Sequence, residues 1–174
     1  MESFTKNPPT AVGGFFVVLK TVAGIIIRMD ILAKKEQLKS IFEKNQVVLA
    51  YLFGSAAKKE KMGALSDIDV AVLFPKEMAK EEQYRREFVI SKEIGNIFNI
   101  DRVDVLNIAT ISNPLLLKNA IIEAFLLYSK DDKLRFALEM KALRDYEDTE
   151  YLRNVSYKIM RRQTKEGVFG AAKT

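Results

Sequence analysis

The sequence predicts an α/β (α+β) fold: a small mixed sheet of about four strands, helices packed on it, and a long helix at the C-terminal end. Three observations carry that expectation. Most of the short apolar, β-branched runs end at glycine, proline or serine, as strands do. Longer segments between them space their apolar residues as helices do. The 174 residues, 48% apolar and 29% charged, suit one domain with one core.

From Ile31 to Lys44, apolar Ile31, Leu32, Leu38, Ile41 and Phe42 recur among Lys, Glu and Gln, the pattern of an amphipathic helix. "VVLAYLF" (Val47 to Phe53) closes at Gly54 and reads as a buried strand. A polar loop leads to "DIDVAVLF" (Asp67 to Phe74), a second strand stopped by Pro75, which cannot donate to a ladder. Glu77 to Phe98 is helical and heavily charged, with Phe88, Val89, Ile94 and Ile97 as its expected core contacts. "RVDVLNI" (Arg102 to Ile108) is a third strand. In "NPLLLKNAIIEA", Asn113 stands as N-cap and Pro114 at the first helical position, where a missing N–H costs nothing. "FLLYS" (Phe125 to Ser129) is the fourth strand. Asp132 to Gln163 follows as a long helix or helix pair, basic towards its end.

The first thirty residues stand apart. "AVGGFFVVLKTVAGIII" (Ala11 to Ile27) is strongly apolar but interrupted by Lys20. A spanning helix wants about 20 uninterrupted apolar residues, and a secretory signal wants a basic start and a small-residue cleavage site. No membrane association is therefore expected. Residues 1–28 are read as an atypical apolar extension, either an over-extended start or an added strand or anchor. Residues 29–174, from Met29 on, form the working domain.

The net charge of +5 is mild, so no direct nucleic-acid binding is expected; an acidic protein surface or a polyphosphate suits it equally. The chain has no cysteine and no histidine. Disulfide frameworks, thiolate zinc sites, cysteine nucleophiles, a Ser-His-Asp triad and any histidine base are excluded. The chemistry left must use carboxylates, hydroxyls, amines and metals. Lack of cysteine fits a cytoplasmic location.

One stretch concentrates such groups: "LFGSAAKKEKMGALSDIDVAVLF" (Leu52 to Phe74). Strand side chains alternate faces, so Asp67 and Asp69 project the same way. Two anions held close repel unless a cation sits between them, and Mg²⁺ takes such hard oxygen ligands. Asp104, between Val103 and Val105, repeats the device in the third strand. If the second and third strands are neighbours, three carboxylates converge as two-metal phosphoryl or nucleotidyl transfer requires. Gly54, directly after a strand, permits the close backbone approach of a phosphate-binding turn. Ser55 can donate its hydroxyl and N–H to a phosphate, with Lys58 and Lys59 in reach to offset charge. Taken singly, each has an ordinary account: a chance Asp-x-Asp, an edge acid, a turn, solvated lysines. Their conjunction, in order and on the right elements, does not.

With these residues in view, "LFGS…SDIDVAVLF" followed by "RVDVLNI" resembles the nucleotidyltransferase superfamily of the DNA polymerase β type. More closely, it resembles the minimal nucleotidyltransferases (MNT) that accompany HEPN proteins in prokaryotic toxin–antitoxin pairs. The resemblance spans about Met29 to Arg153 and implies the nucleotidyltransferase fold. It implies Gly54, Ser55 and Lys58 at the nucleotide phosphates, and Asp67, Asp69 and Asp104 as catalytic ligands of Mg²⁺, two ions in all. ATP is then the substrate, and AMP passes to a protein hydroxyl, a tyrosine on a cognate HEPN ribonuclease toxin. The sequence departs from the family pattern in one place. "AAKKEKMGALS" puts eleven residues between Gly-Ser and Asp-x-Asp, where ten are usual, and Lys59 stands where a small residue is usual. That departure keeps open an antitoxin acting by stoichiometric binding with a vestigial site. An antibiotic-modifying nucleotidyltransferase is a further alternative, disfavoured by the length.

Overall fold

The β-rich runs become four strands of one sheet in the computed structural model of the chain, which describes residues 33–57 and 67–168. In chain order the elements are α1 (Lys35–Lys44), β1 (Leu49–Phe53), the single turn α2 (Gly54–Ala57), β2 (Ile68–Leu73) and α3 (Lys80–Phe98). Then come β3 (Val103–Asn107), a 3-10 turn (Ile108–Thr110), α4 (Pro114–Ile121), β4 (Phe125–Ser129), α5 (Asp132–Asp148) and α6 (Glu150–Lys165). The strand order is β3-β2-β1-β4. β1 runs antiparallel to both β2 and β4, whereas β2 and β3 are parallel. A parallel pair cannot be joined by a tight turn, and α3 is the crossover that joins this one. The mixed sheet is as the sequence leads one to expect.

Alternation along the strands feeds two apolar layers. Leu52, Ile68, Val70 and Val72 pack with Phe42 of α1 and Ile90 and Ile94 of α3. Leu49, Tyr51 and Ala71 point the other way, onto Leu117 and Ile121 of α4 and Ala142 of α5. β1 lies in the middle and is buried from Leu49 to Leu52, which explains its unbroken apolar run. Asn113 caps α4 as its position suggests: its Oδ1 accepts from the N–H groups of Leu115 at 2.9 Å and Leu116 at 3.3 Å.

Of the expected core contacts on α3, Val89 is half-buried outside both apolar layers and Phe88 is overturned. Phe88 is 65% exposed, and Ile90 is buried in its place. Two residues turn a helix through about 200°, so a stripe set by Ile90 and Ile94 carries Phe88 to the opposite side. There the Lys92 ammonium lies 5.5 Å from its ring centre. The C-terminal stretch is a helix pair, broken at Thr149, and none of the α6 residues is buried. Among the described residues no helix is long and apolar enough to cross a membrane. Ala11–Ile27 and the 1–28 extension lie outside the described residues, as do Ile31 and Leu32.

Candidate active site

β1 ends at Phe53, and the next residue, Gly54, turns the chain with φ +67°. That is left-handed backbone, which an L side chain adopts at a cost. Space imposes the same choice: a Cβ on Gly54 would lie 2.0 Å from Asp69 Oδ2 and 2.9 Å from its Cγ. The Asp69 carboxylate therefore rests directly on the Gly54 backbone. Ser55 follows in α2, a single turn whose leading N–H groups have no helical partner.

The register brings the acids together. Asp69 pairs with Phe53 on one side and with Asp104 on the other. In-register neighbours project to the same face, so the Asp69 and Asp104 side chains stand side by side at the end of the sheet. Asp67 precedes β2 by one residue, its side chain 40% exposed. Ile68 N–H donates to Arg102 O at 3.3 Å, which ties the starts of β2 and β3 together. Arg102 Nη1 reaches to 3.9 Å from Asp67 Oδ1. Burial first, then the charges of Asp104 and Asp67, push the Asp69 carboxyl above the usual carboxylate range.

Gly54, Ser55, Asp67, Asp69 and Asp104 thus meet at one end of the sheet. Lys58 and Lys59 lie outside the described residues. Arg102 was not singled out by the sequence, although its place directly ahead of "VDV" was the signal that could have found it. Among the described residues no three ligating side chains close around a single point as they stand. The donor set nonetheless suits a hard divalent cation: clustered carboxylate oxygens whose mutual repulsion already raises the proton affinity of one of them. A separate cleft of about 1140 Å³ lies at the far end of the sheet, lined in part by Leu73, Lys76, Lys80 and Lys133. It is away from the carboxylates.

The glycine turn lies against an acidic pair on adjacent strands, all within residues 54–104. The sequence model of the family described as "Polymerase beta, Nucleotidyltransferase" matches residues 36–133, more than half of the chain. The chain belongs to that family. No curated protein matches the sequence. Among solved structures, a toxin–antitoxin with AMP-PNP is similar with a TM-score of 0.58 and 17% identity, over 73% of this chain and 98% of that one. A tri-AMPylated Shewanella oneidensis HEPN toxin in complex with MNT antitoxin gives a TM-score of 0.57 at 16% identity, covering 75% and 98%. A toxin–antitoxin MntA-HepT structure gives 0.56 at 15%, covering 75% and 98%. At these identities the likeness is one of fold.

Proposed function

We propose that the chain transfers AMP from ATP to a protein hydroxyl, a tyrosine of a cognate HEPN ribonuclease toxin, and so acts as its antitoxin in the cytoplasm. The observation that carries this reading is the Asp69–Asp104 pair set in register beside the Gly54 turn. The printed description of one similar structure, an AMPylated HEPN toxin bound to an MNT antitoxin, supports the choice of acceptor. A domain of this size has little surface left for a deep acceptor pocket, and a partner that brings its own hydroxyl suits that limit.

Asp67, Asp69 and Asp104 would hold Mg²⁺, which when bound neutralises the charge of the triphosphate and of the leaving oxygen. The chain's own residues do the rest. The Gly54 turn, free of a Cβ, lets a phosphate approach the backbone, and the Ser55 hydroxyl and N–H can donate to it. Asp104, exposed at the strand edge, is placed to accept the acceptor's hydroxyl proton. The hydroxyl oxygen then bonds to the α-phosphorus as the bond to pyrophosphate breaks. Holding the reactants in line converts a bimolecular encounter into a local one.

Changing Asp67 and Asp69 together to Asn keeps shape and removes charge. Each 1.36 kcal/mol of lost transition-state stabilisation is a factor of ten, and metal assistance contributes several kcal/mol. Transfer of labelled AMP to the co-purified toxin should fall by at least about a hundredfold, with complex formation retained. If the double variant protects cells as well as the wild type does, neutralisation works by stoichiometric binding. The eleven-residue loop is the feature that favours that second reading.

A further inference from the structure

α6 starts from the end of the molecule that holds the carboxylates. α5 starts at the far end of the sheet, where Ser129 Oγ donates to Asp132 at 2.9 Å. Midway, Glu139 is level with Tyr51, whose hydroxyl donates to it at 3.4 Å. From Tyr51 the strand has about 7 Å left to Phe53. From Glu139 the helix has about 13 Å left to Asp148. α5 therefore outruns the sheet at the carboxylate end, and α6, about 24 Å long, begins there. The elbow is held: Arg153 stacks 3.6 Å from the centre of the Tyr146 ring and donates to Tyr146 O and Thr149 Oγ1. Thr149 Oγ1 in turn donates to Asp145 O at 2.9 Å.

α6 carries an uncovered apolar face. Tyr151, Leu152, Val155 and Ile159 fall within about 100° of one another around the helix. Their exposures are 76%, 63%, 36% and 43%. The spacing of Leu152, Val155 and Ile159 is that of anchors which enter a groove on a partner. The charged positions are nearly all basic: Arg153, Lys158, Arg161, Arg162 and Lys165, with Glu150 the lone acid of the helix at its start. Two α6 helices paired in parallel through this face would set Lys158 and Arg162 of one copy against those of the other, and like charges brought together oppose association. The charge pattern selects an acidic occupant instead.

We infer that this face of α6 docks the acceptor protein, a partner offering an apolar groove rimmed by carboxylates, and brings its hydroxyl to the Asp69–Asp104 pair. The inference rests on the transfer reading above. The test uses the full chain and the HEPN-type toxin proposed above as its acceptor. Leu152→Asp with Ile159→Asp should leave the circular dichroism spectrum and the Mg²⁺-dependent ATP affinity unchanged, since both side chains are exposed. Its affinity for the partner should fall at least a hundredfold by calorimetry. Arg161→Glu with Arg162→Glu should slow association about tenfold at low salt, the gap closing as salt rises. Partner affinity equal to wild type in the first variant overturns the docking face, whether or not AMP is transferred. Absence of transfer by the wild type overturns the enzymatic reading alone, because the affinity comparison still stands. If the wild-type chain alone sediments as a dimer that the first variant disperses, the face belongs to a second copy. If it floats with phosphatidylserine-containing vesicles and the variant does not, the face belongs to a membrane. Either result overturns the proposal.

Discussion

Asp69 is the residue on which site and stability oppose each other. Its ordinary value is 3.8, and burial with Asp104 and Asp67 beside it raises it in the folded chain. Between the ordinary and the raised value the folded state keeps a proton that the unfolded state has lost. The group's contribution to stability is thus fully present below 3.8 and is lost as pH rises through the raised value. Above the raised value, without metal, the ionised carboxylate works against the fold. Asp69→Asn should therefore raise the melting temperature of the protein in EDTA at such a pH. Mg²⁺ should raise the melting temperature of the wild type and leave that of the variant nearly unmoved, which scanning calorimetry would read. Gly54→Ala meets the opposite fate. Left-handed backbone costs an alanine about 1–2 kcal/mol, and its Cβ must displace the Asp69 carboxylate. Mg²⁺-dependent ATP affinity should drop at least tenfold in calorimetry, while the circular dichroism spectrum keeps its shape.

At the scale of elements, the sequence was most legible where periodicity and punctuation agree. Three of the four strands were readable because the apolar run meets a stop, at Gly54, Pro75 and the polar turn after Ser129; the third was read from its β-branched residues to Ile108, one residue past its end. α4 was readable from Asn113-Pro114 alone. Asn113→Ala removes an acceptor shared by two N–H groups and should cost about 1 kcal/mol in urea unfolding, whereas Asn113→Asp should be close to neutral. The rotation of α3 was not legible. Its apolar residues are Phe88, Val89, Ile90, Ile94, Ile97 and Phe98, enough to support two different stripes. Only the sheet beneath decides for Ile90 and Ile94. The pairing of Asp69 with Asp104 was likewise conditional on which strands are neighbours. Alternation within a strand is local information; adjacency of two strands separated by a helix is not.

For the whole molecule, the two apolar layers are assembled from residues 38 onward among those described. A chain that begins at Met29 should therefore fold and bind ATP as the full chain does, with melting temperatures within about 2 °C, a shift below about 1 kcal/mol. A fall of ten degrees or more on this truncation would make residues 1–28 part of the core. The apolar run Ala11–Ile27 misled no other expectation, because every motif lies after it.

The order of elements also sets a schedule. Asp67, just ahead of β2, Asp69 in β2 and Asp104 in β3 all precede Asn107, where β3 ends. The helices that cover the Leu49–Tyr51–Ala71 layer, and α6 beyond them, come later in the chain. On a ribosome adding 5–20 residues per second, the stretch from Asn107 to Lys165 takes roughly 3–12 s. Until those helices are made, nothing in the chain covers the Leu49–Tyr51–Ala71 side of the sheet, so a nascent chain that stops short of them should offer apolar surface to chaperones.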